Sequence, residues 1–179
     1  MATAEQGITG EFATTYREMM LQGLAGEVAI TKKVLAAIPE DKRDYRHDPH
    51  GRSAWELAWH IANTDVQFLD GIADGQFKME NPANKPATVS ELLEWYQQNI
   101  DRGTDRVRNM TAEQLVTPIN FLNAFNLPAF AYLGFLNNHM IHHRGALATY
   151  LRPMGSKCPS IYGGSYDEPF QGMPESEAA

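Results

Sequence analysis

Four long stretches of the chain repeat apolar residues at intervals of three and four positions, the spacing of one face of an α-helix. No segment alternates apolar and polar residues with a sustained period of two, so the pattern predicts no sheet. The predicted helices cover about residues 11–38, 53–75, 88–110 and 128–151.

The ends of these stretches carry the residues that start and stop helices. Ser53 with Glu56, and Thr88 with Glu91, have the spacing of a capping box, in which the first and fourth residues bond each other's backbone N–H groups. Pro39 ends the first stretch because proline cannot continue a helix. The four helices are therefore bounded by local chemistry as well as by periodicity.

The lengths of the helices predict a bundle. Helices of roughly 20 to 28 residues are about 30 to 40 Å long, and four of them with apolar faces form an all-α four-helix bundle. We expect a single domain over residues 1–179, with its core at about 11–155 and an extended C-terminal segment at 156–179. Apolar residues suggest that this segment lies against the bundle, and its last half dozen residues are expected to be disordered; the apolar residues are Ile161, Tyr162, Tyr166 and Phe170.

Charge and composition narrow the class of protein. The chain has 15 basic and 22 acidic side chains and a net charge of -7, which disfavours nucleic acids and anionic membrane surfaces as partners. No apolar run reaches the length of a membrane span, and no signal peptide precedes the first helix, so we expect a soluble cytoplasmic protein. Cys158 is the single cysteine, which excludes an intramolecular disulfide, and we interpret it as incidental rather than reactive.

The segment NNHMIHHRGALATYL places two histidines on the inner face of the fourth helix. At about 100° per residue, His139 and His143 lie beside the apolar stripe, whereas His142 points away. Imidazoles four residues apart on a helix can bind one divalent ion, as in helical zinc sites. The alternative is a pair of partly buried, hydrogen-bonded histidines without a metal.

A third ligand would favour the metal hypothesis, and His60 on the second helix has a matching position at the edge of its own stripe. His47 and His50 lie in a turn-rich linker and are interpreted as solvated loop residues. His60 reaches the height of His139 and His143 only if the second and fourth helices are antiparallel. The metal hypothesis therefore favours an up-down-down-up order, with the linker at about 74–87 as the crossover.

Other polar and aromatic residues have plainer interpretations. Asn63 and Gln67 lie on the side of His60 and could orient an imidazole, although a solvated helix face is the simpler reading. Arg144 is expected to be partly buried and paired with a carboxylate or with backbone carbonyls, with anion binding as the second role. Three tryptophans are expected to pack in the core or at an interface: Trp55, Trp59 and Trp95.

Three segments together resemble the DinB-like (damage-inducible) family of four-helix-bundle metalloproteins: SAWELAWHIANTDVQFLDGI, NNHMIHHRGALATYLRPMG and PSIYGGSYDE. The resemblance covers the chain from the first helix through Asp167. It implies an up-down-down-up bundle and a divalent ion, nickel or zinc, at the positions of His60, His139 and His143. Relatives often have glutamine where this chain has Ala146. The resemblance implies no DNA binding.

The resemblance also implies a function. Some members of this family are thiol S-transferases or thiol-dependent isomerases that use a low-molecular-weight thiol as cosubstrate. We therefore expect a divalent-metal-binding protein that acts on a small molecule as a metal-dependent transferase or hydrolase-like enzyme, with no catalytic side chain assigned. The alternative is a metal-binding stress-response protein without turnover. Uncovered apolar surface on a long bundle also predicts a homodimer.

Overall fold

The computed structural model describes residues 9–78 and 80–169. Its helices are α1 (Gly10–Ala36), α2 (Ala54–Asp74), α3 (Val89–Arg108), α4 (Ala112–Val116) and α5 (Tyr132–Leu151), and short 3₁₀ turns lie at Glu40–Lys42 and Ala129–Ala131. A hairpin of β1 (Pro118–Phe121) and β2 (Phe125–Pro128) separates α4 from α5. The predicted mostly helical fold is confirmed.

The helix ends follow the local chemistry of the sequence, with one exception. Ser53 and Glu56 form the complete capping box at the start of α2, and Gly75, with φ of 70°, ends this helix in the left-handed conformation. Thr88 accepts a hydrogen bond from the Glu91 N–H, but the Glu91 carboxylate accepts from the N–H of Ala87 instead of Thr88. The predicted second capping box is therefore wrong in its return bond, although Thr88 still caps α3.

The hairpin contradicts the prediction that the chain has no sheet. β1 and β2 pair antiparallel from Pro118 opposite Pro128 to Phe121 opposite Phe125. Each strand has only four residues, which is too short for a period-two pattern to be visible in the sequence. The Tyr132 hydroxyl donates to the carbonyl of Ile119 at 2.7 Å and holds the hairpin against the start of α5.

The four long helices occupy the corners of a bundle in which α2 packs on α3 and α5, and α1 packs on the same two helices. Contacts between α2 and α3 advance in the same direction along both: Trp59 with Trp95, Asp65 with Tyr96, and Asp70 with Arg106. Contacts of α2 and of the residue before its cap with α5 advance in opposite directions: Arg52 with Tyr150, His60 with His143, and Phe68 with His139. Helix α2 is therefore parallel to α3 and antiparallel to α5.

Close packing between α2 and α3 depends on a glycine. A Cβ atom at Gly103 would lie 2.8 Å from the Cβ of Leu69, which is closer than real side chains approach. The missing side chain lets α3 come near the face of α2 that carries Asp65. The core between the helices includes large residues that are fully buried, among them Tyr96, Ile61, Leu69, Leu133 and Leu136.

The C-terminal segment contacts the bundle as far as it is described. Ser156 donates to the carbonyl of Ala37 at 2.6 Å, and Ile161 packs on the core. Tyr162 reaches the side chain of Arg144, whereas Tyr166 is 82% exposed, so the expectation that Tyr166 packs on the bundle is wrong. Phe170 and the last residues of the chain lie outside the described residues.

The apolar face predicted for the first helix is also only partly buried. Phe12 is 53% exposed and Met19 is 67% exposed on α1, whereas Leu24 and Val28 are buried.

Among the described helices, none combines the length and the apolar character that a membrane span requires.

Candidate metal centre

Three histidines from α2 and α5 meet at the interface between these helices. The Nε2 atom of His60 lies 3.2 Å from Nε2 of His143 and 3.2 Å from Nε2 of His139. The potential ligand atoms of all three side chains lie within 4.8 Å of one another. The structure therefore brings together the three residues that the sequence analysis singled out.

The spacing of the nitrogen atoms fits a common ion. Two nitrogen atoms that each lie about 2.1 Å from one ion are roughly 3.0 to 3.4 Å apart for angles between about 90° and 110° at the ion. The 3.2 Å separations from His60 fall in this range. The cluster could thus hold a divalent ion with little movement of the side chains.

The opposite nitrogen of two of these imidazoles has a polar neighbour. The Nδ1 atom of His139 lies 2.8 Å from Oδ1 of Asp65, and Nδ1 of His60 lies 3.2 Å from Oγ1 of Thr64. A divalent ion at Nε2 requires the imidazole hydrogen to be on Nδ1, where a carboxylate or hydroxyl oxygen accepts it. Thr64 and Asp65 therefore orient two potential ligands from the side away from the ion.

Asp65 links the histidine cluster to the core of the bundle through hydrogen bonds. It has no solvent exposure, and the Tyr96 hydroxyl donates to its Oδ2 atom at 2.8 Å. Burial raises the pKa of the Asp65 carboxyl, while the hydrogen bond from Tyr96 and the positive charge of Arg144 lower it. A divalent ion at His139 would add positive charge nearby and favour the ionised carboxylate.

Asp65 and Thr64 were missed as orienting residues by the sequence analysis. The residues considered there, Asn63 and Gln67, bond the α2–α3 linker instead: Asn63 donates to Asn81, and Gln67 donates to the carbonyl of Glu80. A signal for Asp65 was present, because it lies about 50° from the centre of the α2 apolar stripe. An acid inside an apolar stripe requires a buried partner.

The environment keeps the three imidazoles neutral. Burial lowers the pKa of His60 and of His139 to about 4 and that of His143 to about 3, and the positive charge of Arg52 acts in the same direction at each ring. Only a neutral imidazole has a lone pair for a metal ion. The cluster is therefore in the protonation state that metal binding requires at neutral pH.

The remaining histidines are not part of the cluster. His142 is exposed on the outer side of α5, as its helical position predicts. His50 is exposed in the linker before α2, and the exposed ring of His47 packs on Tyr150 with a centroid separation of 4.2 Å. Cys158 is half-buried in the C-terminal segment, where its N–H donates to Asp167.

Arg144 and the tryptophans have structural roles. Arg144 is 1% exposed and bonds Glu27, Thr31 and Tyr162, so it is more fully buried than expected. Trp59 and Trp95 pack against each other at 5.0 Å between ring centroids, and Trp55 lies under the guanidinium of Arg43. Among the described residues, no hydrogen bond, ion pair or aromatic contact joins these side chains to the three histidine rings.

Fold and site together define a helical-bundle protein with a three-histidine candidate metal centre. The chain matches the DinB family model over residues 12–175 and belongs to the DinB family, which confirms the resemblance noted in the sequence.

Individual proteins are similar to this chain over most of its length. The chain is 28% identical to YjoA of Bacillus subtilis over 130 residues, which cover 70% of this chain and 82% of YjoA. The crystal structure of a DinB-like protein from Bacillus cereus is similar with a TM-score of 0.69 and 24% identity, covering 81% of this chain and 97% of that protein. The mycothiol-dependent maleylpyruvate isomerase has the same fold over 82% of this chain and 63% of its own, with a TM-score of 0.54 and 12% identity.

Proposed function

We propose that the chain binds one divalent ion, nickel or zinc, through the Nε2 atoms of His60, His139 and His143. The convergence of these atoms at 3.2 Å from His60 carries the proposal. Neutral imidazoles at this spacing turn lone pairs toward one point, which is unfavourable without a cation or a shared proton and favourable around a metal ion. Thr64 and Asp65 hold two of the rings in the required orientation.

We propose further that the centre serves a metal-dependent transfer of a low-molecular-weight thiol to a small electrophile. A bound divalent ion lowers the pKa of a coordinated thiol and leaves positions open for a ligand. The three imidazoles contribute no negative charge, so the ion would retain its full attraction for a thiolate. The shared fold of the mycothiol-dependent isomerase supports this choice of cosubstrate class.

The transfer needs no cysteine from the protein. The thiol releases its S–H proton to solvent, and the sulfur electron pair forms the new bond to the electrophilic carbon. The leaving group departs with the electron pair of the broken bond. Cys158 is bonded within the C-terminal segment and is assigned no role in this chemistry.

The experiment is a reconstitution followed by a screen of thiols. Chelated protein is reloaded with nickel or zinc and assayed with bacillithiol, mycothiol, glutathione and cysteine against a panel of electrophiles. We expect turnover that requires the metal, is lost in His139→Ala and persists in His142→Ala and Cys158→Ala. If Cys158→Ala abolishes turnover while retaining the metal, the nucleophile is a protein thiol and the proposal is wrong.

A metal-binding stress-response protein without turnover is the second candidate. The side chain of Phe68 lies against the ring of His139 at 5.9 Å between centroids, and only 12% of the His139 side chain is exposed. Such shielding favours an ion that stays bound in the protein over an ion that exchanges substrate molecules with the solvent. One ion per chain with no turnover for any thiol and electrophile would support this candidate over the enzyme.

We also propose a homodimer. The exposed Phe12 and Met19 side chains leave apolar surface on α1, and a second copy of the chain is the commonest way to cover such a surface. Light scattering is expected to give about twice the chain mass of 20.0 kDa. The mass of a single chain at micromolar concentration would contradict this proposal.

A further inference from the structure

Arg52 lies at the end of the bundle near the three histidines. It immediately precedes Ser53, the cap of α2, and its carbonyl accepts a hydrogen bond from the Tyr150 hydroxyl at 3.2 Å. Along α5, Tyr150 is two helical turns beyond His143, and along the chain Arg52 is about two turns before His60. Its backbone is therefore roughly 10 to 12 Å from both rings, measured along the helix axes.

The side chain of Arg52 is exposed at this end of the bundle. An arginine side chain is long enough to cover much of the distance of two helical turns. Burial is the main cause that lowers the pKa of each of the three imidazoles, and the charge of Arg52 contributes at all three. The charge of Arg52 is therefore close enough to act on each of the three rings.

Arg52 differs from the other arginines because none of its acidic neighbours among the described residues pairs with it. Within residues 9–78 and 80–169, its side chain forms no ion pair and no hydrogen bond, and the residue is exposed. Every other arginine in the chain forms an ion pair: Arg17, Arg43, Arg46, Arg102, Arg106, Arg108, Arg144 and Arg152. In a chain with net charge -7, an unpaired cation beside a candidate metal centre needs a specific explanation.

The charge balance of the site indicates an anionic ligand. Three neutral imidazoles leave both charges of a divalent ion uncompensated, and Arg52 adds a third positive charge. Asp65, which lies against His139 and accepts from Tyr96 with its second oxygen, compensates one of these charges when it is ionised. A thiolate compensates a second charge, so another anionic group on the ligand would be attracted to the charge that remains at Arg52.

We propose that Arg52 binds the carboxylate of the thiol cosubstrate, so that the site selects small thiols that carry a carboxylate over uncharged thiols. The proposal rests on the thiol chemistry proposed above. The guanidinium suits this role because its planar N–H groups match the two oxygens of a carboxylate. Arg52 would thus determine specificity at the open side of the centre, while the metal takes the sulfur.

The test compares two small thiols that differ in charge. Nickel-loaded protein is titrated with 3-mercaptopropionate and with 2-mercaptoethanol, and binding is followed by the thiolate-to-nickel charge-transfer absorption. We expect the carboxylated thiol to bind roughly tenfold more tightly than the neutral one, a factor typical of one charge-assisted contact. The preference should decrease with added salt, because Arg52 is exposed.

The matched variants assign the preference to Arg52. Arg52→Gln is expected to lose most of the preference with its affinity for 2-mercaptoethanol unchanged, and Arg52→Lys to retain part of it. Arg152→Gln, which removes another exposed arginine, is the control and should behave as the wild type. Metal content and circular dichroism of each variant establish that the centre and the fold are intact.

The outcomes separate this inference from the proposed function. If neither thiol changes the nickel spectrum of the wild type, the thiol chemistry fails, and the inference fails with it. If both thiols bind but Arg52→Gln leaves the preference unchanged, the carboxylate role is wrong while the thiol chemistry stands. If Arg52→Gln weakens both thiols equally or loses nickel, Arg52 maintains the site and does not select the ligand.

Discussion

Two neighbouring residues of α5, His143 and Arg144, belong to polar clusters of opposite character. Arg144 points toward α1, where its guanidinium lies 2.7 Å from the Glu27 carboxylate and also bonds Thr31 and the Tyr162 hydroxyl. His143 points toward α2, where its Nε2 atom faces another imidazole nitrogen at 3.2 Å. The Arg144 cluster pairs a positive charge with a negative charge, whereas the His143 cluster brings together nitrogen atoms of the same kind.

This difference separates a structural cluster from the proposed metal site. The charge of Arg144 is compensated within the chain, so its cluster joins α1, α5 and the C-terminal segment without any external group. The lone pairs of the histidine cluster are complementary to a cation that the chain does not supply. A buried charge that is paired with an opposite charge inside the chain indicates a role in the fold, whereas nitrogen lone pairs that converge on one point favour the binding of a cation.

The largest expected effect is on metal content. His60→Ala, His139→Ala and His143→Ala should each lose the proposed divalent ion, because each removes one of its three proposed ligands. The loss of affinity should exceed the roughly 10 to 100-fold that removal of an outer partner costs. Elemental analysis of reconstituted protein measures this effect.

His142→Ala is the matched control, because it removes a histidine from the exposed side of the same helix. It should retain about one ion per chain. Equal losses in His142→Ala and His143→Ala would contradict the assignment of the inner helix face.

Removal of Arg144 should affect stability rather than metal binding. Arg144→Met leaves the Glu27 carboxylate without its buried partner, which should cost about 3 to 5 kcal/mol of unfolding free energy. Urea denaturation measures the change. Arg152→Met, which breaks an exposed pair with Asp167, should cost at most about 1 kcal/mol.

The two clusters are distinct only if folded Arg144→Met still takes up one ion per chain. If the variant loses the ion while circular dichroism shows a native helix content, the two clusters act together and the distinction between them is wrong.

A smaller effect is expected for the acid behind the metal centre. Asp65→Asn keeps the size of the side chain but removes the carboxylate that accepts from His139, and it should weaken metal binding by roughly 10 to 100-fold. A competition titration with a chromophoric chelator measures the affinity. Thr64→Val, which removes the hydroxyl beside His60, should have a weaker effect, and an unchanged affinity in Asp65→Asn would contradict the orienting role.

The last expected effect is the response of the metal-free protein to acid. The folded pKa values of about 4 for His60 and His139 and about 3 for His143 lie below the usual value of 6.5. The unfolded chain therefore binds more protons as the pH falls below about 6.5, so stability is full above this pH and decreases toward pH 4. Melting temperatures of chelated protein at pH 7 and pH 5 measure the loss.

His143→Phe removes one of these groups and should make the pH dependence flatter. A dependence as steep as that of the wild type would assign the loss of stability to other groups.

Much of the helical framework and the identity of the three histidines could be read from local patterns. Ser53, Thr88 and Gly75 act on the backbone within a few residues, so their effects are visible in the sequence. The spacing of His139 and His143 fixes their common face for the same reason. The hairpin at Pro118–Pro128 was not predicted, because its strands are short and a tertiary contact with Tyr132 stabilises them.

The sequence by itself determined which residues form the long helices and which histidines point inward, because helix periodicity and capping depend on neighbours three or four positions apart. Only the tertiary structure decided that Asp65 faces His139 and bonds Tyr96, and that Gly103 leaves room for Leu69. It also decided that Arg52 pairs with no acid in the part of the chain that the structure describes. These contacts join residues from different helices and loops. They depend on how the packed helices are placed, which no local spacing specifies.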